Sequence, residues 1–349
     1  MRAVPAAVMV VAMSSVAAAE PADQEAVEFY QAARAGDVAG LRRGLSHRVD
    51  VNARFEANQT ALMAAVKGRH DAAIAVLLQA HAALDLQDDA GNTALLVALD
   101  NDCSSTTADR LIVAGAGVDL ANRKHASPLL VAVSTCPRVA KLLIARQAAV
   151  DTTDLDGRTP LIVAIETSNR ELAAQLLAHG ANVSAATKDG LTALHRAATS
   201  GSGELVELLV ARKAPIDKSD VAGRTPLYDA AIGGHAAVVK LLLAHHAAPD
   251  GPDRNGETAL FAAAAGNHSE VVESLIAAGS RVNTSTTRGD TALMAAADHG
   301  ATKVVKILVA AGARLEDRDS AGRTAWMRAA DHPDTANALA KLGAKTTGR

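Results

Sequence analysis

Twelve histidines, two cysteines and thirty-eight carboxylates give this 349-residue chain an ample stock of ligands, bases and nucleophiles. Their spacing decides whether any of them converge. A zinc site needs His and Cys at short fixed intervals, so that several ligands meet one ion. No H-x-x-x-H or H-E-x-x-H occurs, and the lone cysteines, Cys103 and Cys136, fit no zinc framework. Gly201-Ser202-Gly203 is too short for a G-x-S-x-G nucleophile elbow. No glycine-rich phosphate loop follows a strand pattern. Asp154, Asp156, Asp189, Asp220, Asp253 and Asp319 return regularly beside glycines, as turn-forming residues do. A catalytic acid pair has no reason to recur in this way. The expectation is a chain without catalytic, metal or cofactor residues, and not an enzyme.

The elements that position these residues must be built mainly from aliphatic side chains. Hydrophobic residues make up 49% of the chain and aromatics only 2%, which suits thin layers of short helices. The apolar fraction excludes general disorder. A formal net charge of -3 gives no bulk attraction to nucleic acid or acidic membranes.

Arg2, the apolar stretch Ala3 to Val16, and Ala17 and Ala19 before Glu20 read as a secretory signal over residues 1–19. Pro5, Ser14 and Ser15 interrupt the stretch. It also falls short of the ~20 apolar residues that span a bilayer. Cleavage is therefore expected, with a retained anchor as the rival reading. The mature protein is expected in the bacterial periplasm or outside the cell, without a membrane span.

Self-comparison supplies the architecture. Thr60-Ala61-Leu62 returns at Thr93, Ser127, Thr159, Thr192, Thr225, Thr258, Thr291 and Thr324, at steps of 33, 34, 32 and then 33 residues. In each copy a Thr or Ser hydroxyl can cap a first helix. A Gly-containing turn such as Gly233-Gly234-His235 follows, then a second helix ending in an aliphatic pair such as Leu242-Leu243. Gly180-Ala181-Asn182-Val183 shows the next element, and Asp220-Val221-Ala222-Gly223 the polar loop that closes a unit.

These residues resemble the ankyrin repeat, whose T-P-L-H-x-A…G-H…L-L…G-A-x-V-N pattern they follow from about residue 27 onward. The resemblance implies an all-α repeat solenoid of about ten units, each a helix-turn-helix with a β-hairpin loop. It also implies a concave protein-binding groove of loop tips and first helices. Residues 20–26 read as a short linker, 27–59 as an N-terminal cap repeat, 60–323 as eight repeats and 324–349 as a truncated C-terminal cap. His70, His235 and His268 fall at the turn position where the family's His caps and fills space.

Two departures stand out. The family's His after Leu survives only as His195. The loop glycine is replaced by Asn58 and by His125, and the loop Arg123-Lys124-His125 is expected to be irregular, since His adopts positive φ less readily.

Cys103 and Cys136 occupy the inter-helix turns of the only two repeats that depart from 33 residues. Equivalent atoms of stacked repeats lie roughly 10 Å apart, beyond the ~7 Å Cα limit of a disulfide. Altered turn lengths could close that gap. A disulfide staple contributing about 2–4 kcal/mol is the expectation. A redox switch and two buried thiols stand as alternatives.

Positions that vary between copies mark the presented surface. They are apolar in the first half and charged in the middle, where Arg158, Leu191, Arg196, Arg224, Tyr228, Asp229, Arg254 and Glu257 are the candidate partner-binding residues. A solvated edge of mixed sign is the plainer reading. The expected function is a monomeric, non-catalytic adaptor, scaffold or inhibitor that grips a protein partner. A structural envelope array is the alternative, with a cryptic ligand-binding protein or enzyme behind it. Nucleic acid is a poor partner, because the surface lacks an aromatic ladder.

Overall fold

A computed structural model of the chain describes residues 21–101 and 106–346. The expected signal segment, residues 1–19, and Cys103 lie outside the described residues. The chain divides into two compact units, Met1–Gly117 and Val118–Arg349.

In the first unit, helices α1 (Pro21–Ala35), α3 (Ala61–Lys67) and α5 (Ala94–Asn101) pack side by side. Each is followed by a second helix: α2 (Val38–Ser46), α4 (Asp71–Gln79) and α6 (Thr107–Val113). The span expected as a linker is helical from Pro21 onward, because α1 runs through it into the first repeat. Proline tolerates the first helical position and the Ala, Gln and Glu that follow favour a helix.

In the second unit seven pairs follow. The first helices are α7 (Pro128–Thr135), α9 (Pro160–Glu166), α11 (Ala193–Thr199), α13 (Pro226–Ile232), α15 (Ala259–Ala265), α17 (Ala292–Asp298) and α19 (Ala325–Arg328). Their partners are α8 (Pro137–Ala145), α10 (Arg170–Ala178), α12 (Gly203–Ala211), α14 (Ala236–Ala244), α16 (Ser269–Ala277), α18 (Thr302–Ala310) and α20 (Pro333–Lys341). First helices pack on first helices and second on second, which is the order of a repeat array.

Two local rules recur. The cap hydroxyl accepts the backbone N–H three residues on: Thr225 from Tyr228 at 3.3 Å and Thr258 from Phe261 at 3.3 Å, for example. The Leu two residues after the cap is fully buried, as at Leu161, Leu194, Leu227 and Leu260. Burying such a side chain contributes about 1.5–3 kcal/mol, so these positions dominate the core.

Repeats are also stitched by polar bonds. An Asp or Asn side chain at the end of one unit accepts a backbone N–H of the next, as Asp217 does from Ala248 at 2.9 Å and Asp250 from Arg281 at 2.9 Å. At one junction the stitch is missing: Ser184 stands where the acid would be and Pro215, which has no N–H, where the donor would be. The Lys218 ammonium reaches the Ser184 carbonyl there instead, at 2.9 Å.

The turn histidines do something other than cap their own helices. His235 Nε2 donates to the Thr199 carbonyl of the preceding repeat at 2.9 Å, and His268 Nε2 to that of Ile232 at 3.1 Å. The ring fills the space over the glycine of the preceding turn. A Cβ on Gly234, whose φ is +69°, would lie 2.5 Å from the His268 ring.

The projecting loops are turns more than hairpins. Among the described residues, extended pairing amounts to two isolated bridges, Ala186 with Thr192 and Ser285 with Thr291. Each loop closes on itself, as Asp220 N–H does on the Arg224 carbonyl at 2.9 Å, and from Lys188 onward in the second unit each leans on the preceding loop, as Val221 N–H does on the Asp189 carbonyl at 2.8 Å. The loop at Arg123-Lys124-His125 is not irregular in its own bonding. His125 takes φ +59°, and the Asn122 side chain accepts the N–H groups of Lys124 and Ala126 as aspartates do in the other loops. That anchoring offsets the cost of a left-handed histidine.

Candidate protein-binding surface

The loop before each first helix and that helix's solvent side form one face of the second unit. The residue just before the cap, and those four and seven after it, recur along this face. Spacings of three and four put the latter two on one side of the helix.

The sequence-derived candidates form two linked groups. Arg158 Nε pairs with Asp154 Oδ2 at 2.7 Å, and its Nη1 reaches Glu166 Oε2 at 3.7 Å. Arg196 Nε lies 3.0 Å from Glu166 Oε1 on the neighbouring first helix, close enough for an ion pair though not aligned as a hydrogen bond. Glu166, which sequence reasoning passed over, thus ties Arg158 to Arg196. Its signal was its register seven residues after the cap.

In the second group Arg224 pairs with Asp220 at 2.9 Å. Burial works to raise the Asp220 carboxyl, but the Arg224 N–H and guanidinium and the Ala222 N–H outweigh it and hold the group below the usual range. Tyr228 donates its hydroxyl to Glu257 Oε2 at 3.0 Å. Burial, and then that bond to a carboxylate, push the phenol well up.

Asp229, beside Tyr228 on α13, is only 7% exposed, and its Oδ2 has no hydrogen-bond partner. Burial raises its carboxyl, Arg224 and Arg196 pull it down and Asp220 pushes it up, leaving it at about 6. Both arginines are committed elsewhere, to Asp220 and Glu166. Leu191 is half-buried. Arg254 stands exposed at a loop tip, tied by its N–H to the Ala222 carbonyl at 2.8 Å, and is not drawn into either group.

His195 is fully buried and neutral. Its Nδ1 accepts the Thr192 N–H at 3.1 Å and its Nε2 donates to the Arg224 carbonyl at 3.1 Å. Burial lowers its basicity, so it works as a structural link. Among the described residues no group of three or more His, Cys, Asp or Glu could hold a metal ion.

Two further features were missed. Arg328 sits where Arg196 does in its own repeat and binds Asp290 at 3.0 Å, Asp298 at 3.1 Å and Asp319 at 3.0 Å. In the first unit, Tyr30 donates to Gln59 at 2.9 Å in the register of Tyr228 and Glu257, beside a cavity of about 390 Å³ edged by Arg34, Glu56 and Lys67. Both were visible as register matches.

A family model described as ankyrin repeats, three copies to a match, fits residues 29–123, 97–187, 129–220, 194–286 and 261–349. The chain belongs to the ankyrin repeat family. No curated protein matches it. Ankyrin repeats are in general protein-interaction modules and typically non-catalytic. In this ankyrin repeat chain the capping threonines, bridging histidines and stitching aspartates are internally satisfied, and the variable residues lie on the loop and first-helix face. Among the described residues, no helix is long and apolar enough to cross a membrane.

Proposed function

We propose that the chain is an exported, non-catalytic adaptor, scaffold or inhibitor that holds a protein partner in the groove of its second unit, centred on α9 to α15. One observation carries this reading. Arg158, Arg196 and Arg224 are each fixed at one end by a carboxylate yet leave 43%, 36% and 40% of their side chains exposed. Such arginines are pre-oriented, so a partner gains planar donors at little cost in side-chain entropy. Arg and Tyr are also the side chains that most often anchor interfaces.

The test is a pull-down from periplasmic extract with the full chain and with Arg196→Glu plus Arg224→Glu. A specific partner is expected to fall by at least about tenfold, the effect of losing one charged anchor. Recovery of the same partner at unchanged yield from a folded variant removes the groove assignment.

Export and the cysteine pair belong to the same proposal. Cys136 is buried at the start of α8, in the inter-helix turn. An oxidising compartment favours joining it to Cys103, the chain's one other cysteine. The intact mass of the mature protein is expected to lie two hydrogen masses below that of the reduced sample. Two alkylatable thiols without reductant would rule the staple out.

A further inference from the structure

We infer that Asp229, with Glu257 beside it in sequence register, is the seat for a basic side chain of the partner, an arginine above all. The inference rests on the reading of this face as the partner surface and names the chemistry of its contact.

Asp229 is a carboxylate that the fold has left without an ion pair of its own, the nearby Arg196 and Arg224 being bonded to other acids. Its Oδ2 is shielded from solvent and makes no hydrogen bond. Buried polar atoms of this kind are rare, because each costs its full desolvation. Nothing in the repeat requires an acid here. The equivalent position is Ala262 in the next repeat and Ala295 in the one after, both buried without strain in the same kind of helix. Glu257 is similarly short of positive charge, its described partner being the neutral Tyr228 hydroxyl. Arg196 and Arg224 are engaged by Glu166 and Asp220, so neither is paired with Asp229.

The chain also shows how a guanidinium is held on this face. Arg328, in the Asp229 position of the last repeat, is gripped by Asp319 of its own loop and by Asp290 and Asp298 of the repeat before. The α13 repeat has the matching loop aspartate, Asp220, and an acid where that repeat has its arginine. A guanidinium supplied from outside would there complete the same arrangement. The Asp220 bond to Arg224 can be shared, as Asp319 shares its Oδ2 between Arg323 at 2.8 Å and Arg328 at 3.0 Å.

The charged groups bearing on Asp229 are Arg196 from α11 and Arg224 and Asp220 from its own loop; α15, packed on its other side, carries none. Lys240 on α14 points to solvent in a pair with Glu270. Protonation of Asp229 should therefore release the basic group, so binding weakens below about pH 6.

The test uses the full chain, immobilised at neutral pH and panned with a random peptide library. Selected peptides are expected to share an arginine or lysine. Replacing that residue by glutamine, or Asp229 by alanine, should each weaken binding by about tenfold or more, as loss of a charge-assisted bond does. Combining the two should add little, since both remove one interaction. Asp229→Ala creates a residue this helix position already accommodates, so misfolding does not confound the result. Peptides without a common basic residue, or indifferent to Asp229→Ala, overturn the inference. If such peptides still lose binding to Arg196→Glu plus Arg224→Glu, the groove reading survives. A library that yields no binder, or only binders indifferent to every variant, counts against both.

Discussion

Replacing Asp229 by alanine is expected to stabilise the protein at neutral pH and to change nothing in acid. The carboxyl's proton affinity is raised from the usual 3.8 to about 6, chiefly by burial at 7% exposure. The folded state therefore binds that proton more tightly than the unfolded state does. Between those two pH values the native form carries the extra proton, so stability falls as pH rises. Above about pH 6 the whole penalty is present, about 3 kcal/mol. Against it stands the favourable place of an acid in the first turn of α13, worth about 1 kcal/mol at most. The net gain from Asp229→Ala is thus about 2 kcal/mol at neutral pH, vanishing below about pH 4. Urea titrations at both pH values read this directly. Coincident midpoints at neutral pH would show that Asp229 is not an uncompensated charge. A residue that weakens the fold where alanine suits the helix is the kind retained for binding.

The opposite result is expected at Arg328, which is 14% exposed and holds three aspartates, Asp290, Asp298 and Asp319. Removing one partner from a buried ion cluster costs far more than the cluster itself contributes. Arg328→Ala should destabilise the C-terminal end by about 3 kcal/mol. Arg288 and Arg323 remain near Asp290 and Asp319 and moderate the repulsion. Burial tends to raise the Asp319 carboxyl, but the bonds from Arg323, Arg328 and Ala321 hold it low. A lowered carboxylate stabilises the fold above its unfolded value and loses that contribution as pH falls through its folded value. The gap between wild type and variant should therefore narrow in acid. Hydrogen exchange should place the loss in α17 to α20, since repeats couple to nearest neighbours. Unchanged protection of the α19 and α20 amides in the variant would contradict this role.

The repeat register was legible because it is written locally. Thr225 caps three residues on and Leu227 is buried two residues on, whatever lies elsewhere. The charged face was legible only as a set of positions. Arg158 and Arg196 converge because each has a reach across to Glu166 of one first helix, a choice among several acids that no local pattern ranks. The orphan state of Asp229 follows from choices made by its neighbours, Arg196 and Arg224, and so was invisible from its own surroundings. Arg328 stood in the register of Arg196 and Asp298 in that of Glu166, so the cluster could have been read by analogy. The helix over residues 21–26 was missed because the repeat pattern begins after it. His125 was misjudged on its own propensity, when Asn122 anchors the turn around it.

The missing stitch between Ser184 and Pro215 gives the second unit a mechanical weak point. The junctions on either side, Asp151 to Asn182 and Asp217 to Ala248, hold an aspartate-to-backbone bond. At Pro215 a flexible lysine tether replaces it. Under load applied along the array, the stack should part first between α9–α10 and α11–α12. Each repeat of 33 residues then releases roughly 110 Å of chain. The same joint lies under Arg158 and Arg196, so a ligand bridging the two would act as a splint, setting the pitch at which neighbouring repeats stack.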